Sequence, residues 1–199
     1  MKKFTGKPDW STYEKNWLDN YDASNYGSSL SSHILRSTHN LIENNASLND
    51  HYDTKVIGWL TKQDWHSRVE IKQLSGATLP FADDSIDRVI ATHVLEHILD
   101  PVTALTEWVR VIRTGGVLSP ILPSDPGFAW RIGRLFGPRK RGYAAGLPYD
   151  YYMSVEHVDA IHNLHHIIKF HFPDRYTKWW PMRAPIPDIN LVYGVNCFV

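Results

Sequence analysis

Side chains that could perform acid–base or metal chemistry occur together in the segment His93-Val-Leu-Glu96-His97. Histidine titrates near neutral pH, so His93 is a candidate general base that removes a proton from a bound substrate. The spacing also matches the H-x-x-E-H pattern of zinc peptidases, in which both histidines bind the metal and the glutamate is the base. That chemistry needs the motif inside a helix. The neighbouring residues place it after a strand, so we assign no metal and keep the peptidase as an alternative.

A second concentration of chemical groups lies later in the chain, where eleven residues carry five cations and no carboxylate: Arg131, Arg134, Arg139, Lys140 and Arg141. Arginine pairs with phosphate or carboxylate groups through parallel hydrogen bonds. Aromatic side chains such as Tyr143 flank this run and offer a surface on which a sugar or ring could stack. We therefore predict that Arg131, Arg134 and Tyr143 bind an anionic or sugar-linked substrate, and the alternative is a solvated loop.

The elements that must position His93 are a strand before it and a helix after it. The near-continuous apolar run from Ile86 to Thr92 predicts a strand that is buried on both faces. Asp100 followed by Pro101 is typical of a helix start, with an N-cap side chain and proline in the first turn. The motif therefore occupies the carboxyl end of a strand and the connection that follows it.

The helix after Pro101 should end before the Gly115-Gly116 pair, with Val102, Leu105, Val109 and Ile112 on its buried face. Residues 117–122 then predict a second strand, in which Pro120 indicates a sheet edge or a bulge. The order strand, helix, strand with a right-handed crossover indicates an α/β fold.

The rest of the chain is assigned more coarsely, within a single domain that covers residues 1–199. We expect an N-terminal helical cap over 1–50 and a lid or substrate insertion over 123–153, because long Pro/Gly-rich connections usually serve function. Further strands are expected over 55–60, 68–74 and 189–199. A helix is expected over 158–170, with His165 half-buried and the other histidines around it, His157, His162 and His166, solvated or forming a surface metal site.

The segment from Leu79 to Leu118, LPFADDSIDRVIATHVLEHILDPVTALTEWVRVIRTGGVL, resembles class I S-adenosylmethionine-dependent methyltransferases. The shared features are LPF, an acidic turn, a strand, LEH, DP, a helix, GG and a second strand, in this order. The later DPG…WR…GR stretch and the terminal INLVYG extend the resemblance more loosely. It implies a Rossmann-like three-layer sandwich with a mostly parallel sheet, S-adenosylmethionine as cofactor, and methyl transfer to a small-molecule or saccharide-type acceptor.

The resemblance also implies where the cofactor binds. Gly76, Ala77, Thr78 and Leu79 would form the turn that borders the adenine. Ligands of open parallel sheets bind outside the carboxyl ends of the strands, so Thr92, His93 and Val94 would line the cofactor and His93 would act as catalytic base. The sequence leaves open whether a divalent cation near His93, Glu96 and His97 assists this chemistry.

The chain departs from the family pattern before LPF. The family has a glycine-rich turn after its first strand, but none of the glycines before LPF in this chain lies close to another glycine. In addition, only seven residues separate the strands predicted over 55–60 and 68–74. A parallel crossover needs a dozen or more residues. We therefore expect a reduced N-terminal part. The alternative function is a non-catalytic methyltransferase-fold binding or scaffold protein, as a homodimer or paired with a related methyltransferase.

Composition restricts the remaining choices. The 199 residues carry 21 basic and 21 acidic side chains, so the balanced net charge predicts neither nucleic acid nor a membrane as a partner. The one cysteine, Cys197, allows no internal disulfide and suits a reducing compartment. The N-terminus has no apolar signal segment. We therefore expect a cytoplasmic protein that acts on a small-molecule substrate.

Overall fold

The structure is a computed structural model that describes residues 78–144 and 146–199. The predicted helical cap over 1–50, both strands predicted before LPF, and the inference of a missing glycine-rich turn lie outside the described residues. Gly76 and Ala77 also lie outside them.

The predicted strand before His93 is confirmed as β1, Ile86–Thr92, although only Ala91 in it is fully buried. The predicted helix start is also confirmed. Helix α1, Pro101–Val111, is capped by the Asp100 carboxylate, which accepts hydrogen bonds from the Thr103 amide at 3.1 Å and the Thr103 hydroxyl at 2.7 Å. These two bonds hold the pKa of Asp100 below its ordinary value, because they stabilise the charged carboxylate.

The buried face and the end of α1 differ from the prediction. The helix buries Pro101, Ala104, Leu105, Trp108 and Val111, whereas Val102 is exposed. It ends at Val111, and Ile112 already has the extended backbone of strand β2, Ile112–Pro123. β-branched residues favour this extended conformation, so the chain enters the sheet at Ile112, three residues before Gly115.

The glycine pair instead lies inside β2, where the pairing with β1 shifts register between Ile86 and Arg88. Gly115 has φ +78°, a conformation that suits glycine. A Cβ on Gly116 would lie 2.5 Å from Cγ2 of Ile112 and 2.7 Å from the carbonyl oxygen of Asp87. The glycines therefore allow the close approach of β1 and β2 at this irregularity.

The described sheet has four strands in the order β1-β2-β4-β3, with β3 over Arg175–Trp180 and β4 over Val192–Phe198. Strands β1 and β2 are parallel, and β4 is antiparallel to both β2 and β3. The α/β prediction is confirmed, with a mixed sheet. The expected final strand is β4, whereas β3 was not predicted. Pro120 lies opposite Ala91 inside the sheet, so it marks neither an edge nor the register shift.

The segment predicted as an irregular lid over 123–153 is largely helical. It contains α2, Phe128–Phe136, α3, Pro138–Ala144, and the start of α4, Tyr149–Glu156. Helix α5 covers Ile161–His171, so it begins after the predicted start at Val158, which is exposed. None of the described helices has the length and apolarity needed to cross a bilayer.

Buried side chains occur on both faces of the sheet. Leu118 and Leu122 of β2 belong to the larger cluster, which takes in buried residues of α1 and α5. Ile121 points to the opposite face, because side chains alternate along a strand, and it packs in a smaller cluster with Leu191 and Val192. The two clusters hold β2 between them, so the carboxyl end of β2 is anchored from both sides.

Replacing Leu118 tests the larger cluster. Leu118 is fully buried, so Leu118→Ala should remove its transfer free energy and leave a cavity, lowering the free energy of unfolding by about 2–5 kcal/mol. Urea denaturation followed by circular dichroism measures the change. Leu99→Ala is the matched control, because Leu99 is 87% exposed and should change stability little. Equal effects of the two substitutions would contradict the described packing.

Candidate functional site

The carboxyl end of β1 is an accessible surface between buried residues. Ala91 and Leu95 are buried, whereas Thr92 and His93 are half-buried and Val94 is exposed. His93 has φ +52°, which turns the chain sharply away from the strand. Its amide donates to the carbonyl of Ile121 at 2.9 Å, so the turn is fastened to β2. Such an exposed strand end fits a cofactor wall at the predicted position.

The LPF turn is held by two residues of α1 that the sequence analysis did not identify. The Leu79 amide donates to Oε1 of Glu107 at 2.7 Å. Arg110 donates to the same carboxylate, to the carbonyls of Leu79 and Phe81, and to Asp83. The spacing of Glu107 and Arg110, three residues apart on a helix, indicated an ion pair but not its third partner. The turn is therefore fixed to α1 through one charged pair.

Electrostatics at this pair favour the charged forms. Hydrogen bonds from Arg110, and then from the Leu79 amide, lower the pKa of Glu107 to about 2. The pKa of Arg110 is raised in turn by its bonds to Glu107 and Asp83. Both side chains are ionised at neutral pH, so the turn keeps these contacts there.

Glu96 lies in the short 3-10 turn Leu95–His97 that follows the strand end. Its side chain is only 2% exposed, and neither carboxylate oxygen accepts a hydrogen bond from the described residues. The nearest basic atoms are His93 Nδ1 at 3.4 Å and His97 Nε2 at 3.8 Å from Oε1. Burying an ionised carboxylate that accepts no hydrogen bond costs free energy of folding, so the groups around Glu96 matter for its role.

Backbone hydrogen bonds attach this turn to the connection between α4 and α5. The Glu96 carbonyl accepts from the amides of Val158 and Asp159 at 3.0 and 3.2 Å. Nδ1 of His97 lies 2.9 Å from the Glu156 carbonyl oxygen. His97 thus holds the α4–α5 connection through its side chain, whereas Glu96 holds it through its backbone carbonyl. The two segments are sixty residues apart in sequence, which is why their contact could not be predicted.

A cavity of about 280 Å³ adjoins this connection. Asp125, which follows β2, lies on its wall with Oδ2 2.7 Å from Nδ1 of His157. Arg134 of α2 lies on the opposite side of the same carboxylate, with Nη1 3.4 Å from Oδ2. The cavity is lined by Asp125, Pro126, Arg134, Met153, Ser154, His157, Val158, Asp159 and Ala160. It therefore combines two carboxyl groups, an imidazole and a guanidinium.

Burial shifts the pKa of one carboxyl group in the cavity wall and of a tyrosine beside Arg134. The pKa of Asp159 is raised, because the carboxylate has lost part of its contact with water. The pKa of Tyr149 is also raised by burial, and the Arg134 guanidinium, 5.4 Å from the centre of its ring, partly opposes that effect. The wall is thus partly shielded from solvent while keeping ionisable groups.

The three predicted substrate-binding residues are not brought together. Arg134 lines the cavity, whereas Arg131 is exposed and is not part of the cavity wall. The Tyr143 hydroxyl lies 3.1 Å from Oδ2 of Asp150, and that carboxylate also pairs with Arg139. The five-cation run is therefore divided between the cavity and an outer surface.

The surface histidines on α5 behave as solvated side chains. His162 and His166 are exposed, and His162 lies 3.6 Å from an Asp188 carboxylate oxygen. His165 is half-buried as predicted and contacts the rings of Trp179 and Tyr193 edge-on. Burial lowers the pKa of His165, so its neutral form is favoured.

Comparison with known proteins gives one family match. Residues 32–119 match the model of the methyltransferase domain family. A curated relative in Mycobacterium sp. strain JLS, named an uncharacterized methyltransferase, is 49% identical over 43 residues, which are 22% of this chain and 17% of that protein. A Mycobacterium tuberculosis protein named a probable S-adenosylmethionine-dependent methyltransferase is 37% identical over 73 residues, 37% of this chain and 26% of the relative. The matches thus span about a quarter or less of these relatives.

The fold is shared with a solved S-adenosylmethionine-dependent methyltransferase from Thermotoga maritima. The TM-score is 0.57 with 12% sequence identity, and the alignment covers 94% of this chain and 98% of that one. At this identity the likeness concerns the fold.

Removing Arg110 should release Glu107 to titrate normally. In Arg110→Gln, we expect the Glu107 pKa to rise from about 2 towards its ordinary value of 4.5, as measured by carbon-13 NMR of the carboxyl group. Because the folded-state pKa is depressed, the stabilisation is present above pH 4.5 and is lost as the pH falls towards 2. The Leu79 amide should also exchange faster with solvent.

Arg113→Gln is the control for this titration. Arg113 is also near the end of α1, but its partner is the exposed Asp87, so the Glu107 pKa should not move. An ordinary Glu107 pKa in the unmodified protein would contradict the described pair.

Proposed function

We propose that the chain is a class I S-adenosylmethionine-dependent methyltransferase that transfers a methyl group to a small-molecule acceptor. The match of residues 32–119 to the methyltransferase domain family and the fold shared with the Thermotoga maritima protein support this proposal. When bound, the cofactor would supply an electrophilic methyl group: the acceptor atom would form a bond to the methyl carbon as the carbon–sulfur bond breaks, the thioether product would leave, and His93 would take the acceptor's proton. The protein contributes mainly by holding the two reactants in the right orientation.

The cofactor site in this proposal lies at the carboxyl end of β1. Thr92, His93 and Val94 form one side of it, which agrees with their partial exposure between buried neighbours. Residues 76–79 border the adenine in this proposal, and Leu79, the last of them, is held by Glu107. A charged pair that keeps this turn rigid supports a binding role, because a preorganised site loses less entropy when the ligand binds.

The acceptor site in this proposal is the cavity beside Asp125, and this cavity is the observation that carries the proposal. Asp125 follows β2 as His93 follows β1, and β1 and β2 are parallel, so both residues lie at the same edge of the sheet. The 3-10 turn connects them, since the Glu96 carbonyl bonds to Val158 and Asp159 on the cavity wall. Ligands of such sheets bind at this edge.

The lining suggests the chemistry of the acceptor. Carboxyl groups of Asp125 and Asp159 can accept hydrogen bonds from hydroxyl or amino groups, and Arg134 can attract an anionic substituent. Arg131 and Tyr143 extend this positive and aromatic character along the outer surface. We therefore infer a saccharide-type or otherwise hydroxylated acceptor, with any anionic portion directed towards the α2–α3 surface.

His93 is the proposed catalytic base. Its imidazole is half-buried, and Nδ1 lies 3.4 Å from the Glu96 carboxylate, which stabilises the imidazolium formed when His93 takes a proton. The ring therefore combines access to the strand end with a buried acidic partner. Base catalysis of this kind contributes about 10²–10⁴-fold to a rate.

Cofactor binding is the first test. Calorimetric titration of the full chain with S-adenosylmethionine and its demethylated product should give heat with one site per chain. No heat at millimolar ligand would refute the enzyme and favour the non-catalytic scaffold alternative. Transfer of tritiated methyl groups to a panel of hydroxylated and amino compounds then identifies an acceptor.

His93→Asn tests the base with little disturbance of the backbone. Asparagine tolerates the left-handed conformation found at His93, so the turn should be kept. We expect turnover of the identified acceptor to fall about 10²–10⁴-fold with cofactor affinity unchanged. His166→Asn replaces an exposed histidine away from the site and should leave turnover intact. Full turnover by His93→Asn would exclude His93 as the base.

A further inference from the structure

A buried carboxylate and two imidazoles meet where the 3-10 turn contacts the α4–α5 connection. Glu96, His97 and His157 each place one potential ligand atom within 4.8 Å of the others. Glu96 is almost fully buried, and within the described part of the chain both of its oxygens lack a hydrogen-bond donor. An ionised carboxylate in such a place requires a compensating positive charge.

The histidines are held by their other ring nitrogens. Nδ1 of His97 lies 2.9 Å from the Glu156 carbonyl oxygen, an acceptor, so the hydrogen-bond network assigns the proton to Nδ1. Nε2 of His97 then carries a lone pair and faces Glu96 at 3.8 Å. Carbonyl and carboxylate partners on the far nitrogen are the usual means by which metal-binding histidines are oriented.

His157 also has an acidic group beside its Nδ1. This nitrogen lies 2.7 Å from Oδ2 of Asp125, a close contact without hydrogen-bond geometry, and Nε2 is the ring nitrogen left for another ligand. The His157 and His97 rings pack edge to face with centroids 4.8 Å apart. A carbonyl oxygen next to Nδ1 of His97 and a carboxylate next to Nδ1 of His157 thus position two imidazoles beside the Glu96 carboxylate.

We propose that Glu96, His97 and His157 bind a divalent transition-metal ion of the zinc type. Imidazole nitrogens and a carboxylate are suitable zinc ligands, and three protein ligands leave a position for water or a substrate group. The metal would offset the buried Glu96 charge and would join the turn after β1 to the α4–α5 connection. Because His157 also lines the cavity, the ion would lie at the border of the proposed acceptor site.

The sequence motif alone does not specify this ligand set. The H-x-x-E-H pattern pairs His93 with His97, but the group described here replaces His93 with His157, which comes from a different part of the chain. His93 and His97 both face Oε1 of Glu96. A metal on Glu96 would therefore compete with the stabilisation of a protonated His93, but the binding test of the ligand set does not require His93 to be a base.

Metal binding by the full chain is the direct test. After treatment with a chelator, the protein should take up about one Zn²⁺ per chain in equilibrium dialysis with elemental analysis, and Co²⁺ should give a visible absorption band of a bound ion. Affinity for both ions should fall at least tenfold in His157→Ala and in Glu96→Gln. Asp125→Asn, which removes the negative charge beside Nδ1 of His157 and also the partner of Arg134, should weaken binding about 10–100-fold.

His166→Ala is the matched control, because His166 is exposed on α5 and does not belong to the group, so it should keep full affinity. Circular dichroism establishes that each variant is folded, and His97→Ala/His157→Ala replaces two ligands without altering the buried Glu96. Undiminished uptake by that double variant, or no uptake by the folded unmodified protein at submillimolar Zn²⁺, would overturn the proposal. None of these measurements involves methyl transfer, so they are independent of the proposed enzyme activity.

Discussion

Strands β1 and β2 run parallel and pair continuously from Arg88 with Val117 to Thr92 with Ile121. Parallel pairing places both carboxyl ends at one edge of the sheet, so whatever follows each strand must meet there. His93 follows one strand, Asp125 follows the other, and the His93 amide bonds directly to β2. The proposed base and the acidic wall of the cavity therefore lie at this edge.

Two separate devices hold the surroundings of that edge. On one side, Glu107 and Arg110 fix the position of the LPF turn, which has no regular secondary structure. They do so with charged hydrogen bonds, which are stronger than neutral ones. On the other side, backbone bonds from the Glu96 carbonyl secure the α4–α5 connection. The contacts of Glu107 and Arg110 depend on charge. The bonds of the Glu96 carbonyl are between backbone groups, so their strength should change little with salt or pH.

Local patterns predicted the elements that depend on local physics. The strand β1, the Asp100 cap and a helix over most of 158–170 appear as expected, since each follows from residue spacing or local hydrogen bonds. Strand β3 was missed, because its RYTKWW sequence shows no simple apolar alternation. No helices were predicted within residues 123–153, because the prolines and glycines there interrupt the residue spacing by which three short helices would be recognised.

The site was predictable only where it is contiguous in sequence. His93 at the strand end follows from the motif and the strand boundary, but His157 and Asp125 meet Glu96 and His97 through tertiary contacts. Burial is the decisive quantity that a sequence cannot supply. A glutamate in a loop is ordinarily solvated, whereas Glu96 is enclosed with His93, His97 and His157 around it. This enclosure of Glu96 arises from packing, and through Glu96 the end of β1 is joined to the cavity wall.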